Sequence, residues 1–274
     1  MVKRKVFLVG IITAVLVISA AMLLLNNGRK LKLLAILKEG PAGSGSLVAQ
    51  AKKLESEGNL ASAQAIYQKL VNDFPGSAEA MSWQKKAEDI NIKLLFSPVV
   101  TPDSVLYEIK PGDTLNKIAK EFNTTVDLIK KSNNLSSDNI IPGKKIKVWT
   151  KPFSMLVDKS QNILMLKSGE EVFKTYIVST GANNSTPIGT FKIVNKLENP
   201  TWYKAGAVVA PGSPQNILGS RWLGLSLSSY GIHGTTDPAS LGKQVTQGCV
   251  RLSNSDVEEL YIIVPLGSEV TIVD

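Results

Sequence analysis

The 274-residue chain contains one cysteine and one histidine, and each scarcity closes off chemistry. A lone cysteine cannot form an internal disulfide, so no disulfide framework holds the fold together. One cysteine and one histidine leave an intramolecular zinc site at least one ligand short, even of the catalytic kind. The chain also lacks a phosphate loop of the form G-x-x-x-x-G-K and a nucleotide fingerprint, so neither cofactor nor metal is expected. Lys and Arg total 31 against 23 Asp and Glu, a net charge of +8 that suits polyanions, including wall polymers and anionic membrane surfaces. There is no concentrated arginine stripe, which disfavours nucleic acid as a partner. With 43% hydrophobic and 20% charged residues, wholesale disorder is excluded.

Part of that hydrophobicity is one segment. Residues 6–25 form 20 uncharged positions after Lys3-Arg4-Lys5, and at about 1.5 Å per residue they cross a hydrocarbon core of about 30 Å. Ser19-Ala20-Ala21 has the small residues of a processing site, but the apolar run continues through Met22-Leu23-Leu24-Leu25. The expectation is an uncleaved transmembrane anchor within residues 1–25. Basic residues flank it on both sides, with Arg29, Lys30, Lys32 and Lys38 following, so charge does not set its orientation.

Residues 26–46 end in Gly40-Pro41-Ala42-Gly43-Ser44-Gly45-Ser46 and read as a linker. Over 47–96, Ala51, Leu54, Leu60, Ala63, Ile66, Tyr67, Leu70 and Phe74 recur at helical spacing, with breaks at Gly58-Asn59 and Pro75-Gly76, which predicts three short helices. Gly58, Ala63, Tyr67 and Phe74-Pro75 resemble a single tetratricopeptide unit. One copy leaves two roles open, a spacer or oligomerisation element and a partner-binding groove.

After Ser97-Pro98 and Thr101-Pro102-Asp103 comes a compact strand–helix–helix–strand pattern. The strand covers 105–109, and Pro111-Gly112-Asp113-Thr114 turns into a helix with Leu115, Ile118, Ala119 and Phe122 on one face. Asn123-Thr124-Thr125 starts a second helix carrying Val126 and Ile129, and Ile140-Ile141-Pro142-Gly143 leads into a strand over 145–148. This stretch, YEIKPGDTLNKIAKEFNTTVDLIKKSNNLSSDNIIPGKKIKV, resembles a LysM domain, here placed at 104–149. The resemblance implies binding of N-acetylglucosamine-containing glycans such as peptidoglycan by Gly112, Asp113, Thr114 and Leu115 on one side of a groove and Asn139, Ile140, Ile141 and Pro142 on the other. Gly112-Asp113-Thr114 also serves as a turn and helix cap whether or not sugar binds.

Beyond Lys151-Pro152 the period becomes that of strands, over 153–157, 163–166, 172–179 and 189–194, so the last domain is expected to be mostly β. A helix is expected near Ser255, with Ser255-x-x-Glu258 as a capping box and Val257, Leu260 and Tyr261 as its apolar face. Within this domain the sole histidine and sole cysteine stand 16 positions apart, in Ile232-His233-Gly234-Thr235 and Thr246-Gln247-Gly248-Cys249-Val250-Arg251-Leu252. A thiol of pKa near 8.5 is only a few per cent thiolate at neutral pH and needs a base, for which His233 is the available imidazole. The Gly234 carbonyl can fix its tautomer, Gly248 lets the amides of Gly248 and Cys249 face a developing oxyanion, and Arg251 offers a cation to a substrate carboxylate. The chemistry indicated is acyl transfer. Singly, each has a duller reading: structural histidine, buried inert cysteine, turn glycine, solvated arginine, with Asp237 a turn acid. Trp202, Trp222 and Tyr230 read as core before groove.

Pro187-Ile188-Gly189-Thr190-Phe191, His233-Gly234-Thr235 and Gln247-Gly248-Cys249-Val250-Arg251-Leu252, with Asn254 and Asp256, resemble the YkuD-type L,D-transpeptidase domain over 152–274. Thr246 stands where many members have Ser and keeps the hydroxyl. The resemblance implies a β-rich sandwich or barrel in which Cys249 attacks the carbonyl between the third residue of a peptidoglycan stem tetrapeptide and its D-alanine while His233 handles protons. A stem diamino acid then typically takes the acyl group to give a 3-3 cross-link; some relatives use a lipoprotein lysine or water. The expected protein is thus multidomain: a transmembrane helix, a short all-α unit, an α+β LysM domain and a mostly-β catalytic domain. It would lie in the bacterial envelope, membrane-anchored and facing the periplasm or wall, with peptidoglycan stems and strands as partners. The alternatives are a hydrolytic L,D-carboxypeptidase or endopeptidase and a non-catalytic wall tether, the latter disfavoured by an intact Cys249, His233 and Arg251.

Overall fold

A computed structural model describes residues 43–204 and 206–274, in two compact units, one ending at Leu94 and the other running from Leu95 to Asp274. The expected anchor at 6–25 and most of the linker at 26–46 lie outside the described residues. Among the described residues no helix is long and apolar enough to cross a membrane.

The described part of the first unit contains three helices, α1 (Ser44–Ser56), α2 (Leu60–Asp73) and α3 (Ala80–Leu95). α1 begins at Ser44, inside the stretch read as linker, because Gly43 takes φ 101 and the Ser46 hydroxyl donates to the Gly43 carbonyl at 3.1 Å. Asn59 caps α2 by accepting from the Ser62 amide. Ala51, Ala63, Tyr67, Leu70, Trp83, Ala87 and Ile90 are buried together, small residues alternating with large where the helices approach.

In the second unit, β1 (Ser104–Glu108) pairs antiparallel with β2 (Lys145–Trp149), and α4 (Leu115–Glu121) and α5 (Val126–Ser132) lie between them in sequence. Thr114 and Thr125 cap these two helices through their hydroxyls, each cap contributing about 1 kcal/mol. Ile109, Leu115, Ile118, Ile129, Ile146 and Val148 form the core.

The remainder is built on one eight-stranded sheet and a helix. The strands are β3 (Phe153–Asp158), β4 (Ile163–Ser168), β5 (Glu171–Ile177), β7 (Gly189–Glu198), β10 (Arg221–Leu225), β11 (Gly231–His233), β13 (Val250–Arg251) and β14 (Glu269–Val273), and the sheet order is β13-β11-β10-β7-β14-β3-β4-β5. β11/β13 and β14/β3 are parallel and the remaining neighbours antiparallel. Two smaller pairs flank it, β6 (Thr180–Gly181) with β12 (Gln244–Thr246) and the hairpin β8 (Trp202–Lys204) with β9 (Ala207–Val209). Helix α6 (Asn254–Ile263) buries Val257, Leu260 and Ile263, worth roughly 2 kcal/mol apiece by transfer. Its cap is Ser253, which accepts from the Asp256 amide, and not the expected Ser255.

Candidate active site

Side chains alternate along a strand, so every second residue shares a face. β11 lies between β10 and β13, with His233 opposite Trp222 on one side and Arg251 on the other. Cys249 immediately precedes β13, two residues before Arg251, and therefore comes to the same face. The fold thus gathers the histidine and cysteine segments, with Trp222, onto one patch of sheet.

His233 is 2% exposed, and its Nδ1 lies 2.7 Å from the Gly234 carbonyl oxygen. Burial pushes its pKa down from 6.5 to about 4, with Arg251 adding to the shift and the carbonyls of Gly234 and Leu218 opposing it. The ring is therefore neutral near neutral pH. Burial also raises the Cys249 thiol, which the Gly231 amide and the Arg251 guanidinium partly offset. The resting thiol points to the Ser229 carbonyl, Sγ to O 3.7 Å; among the described residues no hydrogen bond joins it to His233. Ser229 is held at φ 70, left-handed backbone that a non-glycine residue adopts at a cost.

Arg251 donates from Nη1 to Ser240 Oγ at 3.0 Å and exchanges backbone hydrogen bonds with Ser179. Its buried Nε has no hydrogen-bond partner among the described residues. Burial lowers its pKa while Asp237 and Cys249 raise it.

A glycine at 248 is required by φ 123 and by space, since a Cβ there would stand 2.7 Å from Tyr230. Its amide, with that of Cys249, is the expected oxyanion donor. The Gly248 amide donates to Thr246 Oγ1 at 3.2 Å, and that hydroxyl donates to the Cys249 carbonyl at 2.7 Å, so the amide is engaged within its own turn.

The family profile for the L,D-transpeptidase catalytic domain (YkuD) matches residues 152–272, and that for the LysM domain matches 107–149. The putative L,D-transpeptidase YkuD of Bacillus subtilis strain 168 is 38% identical over 173 residues, 61% of this chain and 97% of its own length. The chain belongs to the YkuD family of L,D-transpeptidases. The Bacillus licheniformis protein of the same name is 37% identical over 176 residues, covering 61% of this chain and 98% of its own. A solved L,D-transpeptidase from Mycobacterium tuberculosis H37Rv superposes on 62% of this chain and 90% of its own at 14% identity and TM-score 0.39; the assignment rests on the sequence relatives. The chain is accordingly an acyltransferase with a LysM domain ahead of its catalytic domain.

Around this candidate site the structure gives a contact role to Asn254, which the sequence resemblance named without one, and to Trp222, which the sequence left as core. Asn254 Oδ1 accepts from the amides of Ser220 and Thr235, both at 3.1 Å, and occupies the space that side chains at Gly219 and Gly234 would need. Trp222 stacks on His233 with ring centroids 5.9 Å apart and 17° between planes. Asn254 follows the Cys249 motif closely enough to invite attention in sequence; Trp222 carries no such signal.

The LysM positions divide. Asp113 accepts from the Lys110 amide at 2.8 Å and the Tyr107 hydroxyl at 2.9 Å, which hold its carboxyl below the usual range. Thr114 caps α4, and Gly112 takes φ 85. Leu115 is 2% exposed, so its side chain belongs to the core and only its backbone can face a ligand. Asn139, Ile141 and Pro142 are exposed, Ile141 at 64%, and Ile140 is half-buried.

Proposed function

We propose that this L,D-transpeptidase acts through a thioester on Cys249. The observation that carries the reading is that the sole imidazole pairs across β11 and β13 with Arg251, whose Nε has no partner among the described residues, while the sole thiol stands two residues before that arginine. In the proposed reaction the thiol turns from Ser229 and gives its proton to neutral His233 as the sulfur attacks the carbonyl between the third stem residue and D-alanine. The carbon–nitrogen bond breaks, D-alanine leaves with the proton from the imidazolium, and the acyl group remains on sulfur. An amine of a neighbouring stem then attacks the thioester, passes a proton through His233 and restores the thiol, giving a 3-3 cross-link. Gly234 holds the imidazole tautomer through the 2.7 Å contact, Gly248 keeps the nucleophile turn tight, and Arg251 receives a stem carboxylate.

The surrounding parts serve delivery. The LysM domain holds glycan strands between 112–115 and 139–142, residues 6–25 anchor the chain in the membrane with its folded units toward the wall, and the tetratricopeptide-like helices set the reach. Support for the anchor is the 20-residue uncharged run.

The test incubates the full chain with a disaccharide-tetrapeptide and follows products by mass spectrometry beside Cys249→Ala. A cross-linked dimer that has lost one D-alanine, absent from the variant, is expected. A tripeptide monomer in its place assigns water as acceptor, and identical products from both proteins remove Cys249 from the reaction.

A further inference from the structure

Trp222 occupies a site built to receive it. The indole Nε1–H donates to Asn195 Oδ1 at 3.1 Å on β7. Its six-membered ring lies over Gly231, where a Cβ would come within 2.5 Å of it, and its nitrogen lies over Gly224, where a Cβ would stand at 2.8 Å. Two neighbouring strands thus present bare backbone beneath one side chain, and the ring they admit runs nearly parallel to the His233 imidazole. Gly231 is also the residue whose amide favours the Cys249 thiolate.

We propose that Trp222 is a positioning residue for the transpeptidase reaction: its anchored indole fixes the plane of the His233 imidazole and keeps water off that face, so that the ring meets the Cys249 thiol as a neutral base. The inference rests on His233 serving as that base. The Gly234 and Leu218 carbonyls act on the imidazole from its edge; the parallel indole backs its face and limits its tilt, as a reaction geometry accurate to a fraction of an ångström requires.

The groups that influence the ring's charge are few. Arg251 acts on it from the β13 side, with Asp237 and Cys249 acting in turn on Arg251, and the Gly234 and Leu218 carbonyls favour its protonated form. From β10 only Trp222 shares its face; Arg221 is turned to Glu198 and to the Tyr261 ring. Asn254, the residue of α6 that touches Gly234, is uncharged. An indole face attracts a cation, so its loss would by itself disfavour imidazolium. Burial is the larger influence on His233, and admitting water therefore raises the pKa on balance.

Because His233 is the only histidine, its titration can be read directly by NMR of histidine-labelled full-length protein. Wild type is expected to stay neutral down to about pH 4. Trp222→Ala should move the midpoint up by about one pH unit or more, abolish the ring-current shift of the imidazole protons, and lower kcat about tenfold with KM within about twofold. Trp222→Phe should restore most of each. Asn195→Ala, which frees the indole without removing it, should shift the titration the same way by a smaller step, and it decides the matter should Trp222→Ala fail to fold. A midpoint unchanged in both Trp222→Ala and Asn195→Ala, or a wild-type midpoint already near 6.5, overturns the inference. His233→Asn separates the two levels: if it abolishes turnover while the Trp222 and Asn195 variants leave the titration alone, only the role of Trp222 fails; if it leaves turnover intact, the reaction assigned to His233 fails with it.

Discussion

Thr246 joins both ends of the turn that carries Cys249. Its hydroxyl accepts the Gly248 amide and donates to the Cys249 carbonyl, so one oxygen fixes the backbone on either side of the thiol-bearing residue. Thr246→Val keeps the shape and removes both bonds. Leaving a buried amide and carbonyl unsatisfied costs about 1–3 kcal/mol, and the turn can relax by displacing Cys249. The expected result is a fall of about tenfold or more in kcat, with Thr246→Ser close to wild type, read from steady-state kinetics on a tetrapeptide donor. Sequence showed a hydroxyl at this position, but not that it engages the amide assigned to the oxyanion. That follows from the path of the turn, which packs against Tyr230 and the Ser185 carbonyl.

At the scale of elements, the start of α6 organises the site. Ser253 caps the helix, which leaves the Asn254 side chain free to reach the amides of Ser220 before β10 and Thr235 after β11. One amide oxygen therefore ties the two strands that carry Trp222 and His233. Asn254→Ala should destabilise the protein by about 1–2 kcal/mol, the lower part of the range for orphaned amides because Asn254 itself is exposed and water can reach in. Turnover should fall by more than the loss of folded protein explains, since the Gly234 carbonyl that holds His233 moves with Thr235. Asn254→Asp, which keeps the acceptor, should preserve both; urea midpoints and kcat measured together check this. The helix itself was legible from its apolar spacing. Its start was not, because Ser253 and Ser255 are equivalent in sequence and the choice was made by where Asn254 had to point.

For the whole molecule, the LysM and catalytic domains belong to one compact unit from Leu95 to Asp274. The Thr125 hydroxyl donates to the Ile262 carbonyl, and Trp149 at the end of β2 stacks on Phe153 at the start of β3, centroids 5.5 Å apart. The stability of this unit should depend on pH through His233. The unfolded imidazole takes its proton near 6.5 and the folded one only near 4, so the unfolded state binds more protons between those values. The contribution is fully present above 6.5 and is lost as pH falls toward 4, by about 3 kcal/mol in all. Urea unfolding at pH 7 and pH 4 should show a larger loss for wild type than for His233→Asn, which has nothing to titrate; equal losses would sink the assignment.

The order of the two matched domains, and the residues of the cysteine and histidine segments, were readable from local signals: helical and strand periods, turn glycines, and two residue types used once each. The relations between those segments were not. That the resting thiol faces Ser229, that the Gly248 amide is engaged, that the Leu115 side chain is core and that Trp222 lies against His233 all depend on which strands became neighbours. A strand pattern specifies which residues share a face of that strand; it does not specify the partner strand, and here β10, β11 and β13 bring together residues from 222 to 251. Local patterning therefore singled out the candidate reactive groups, and the resemblance of their segments pointed to the family, while the tertiary pairing of strands decided their environment.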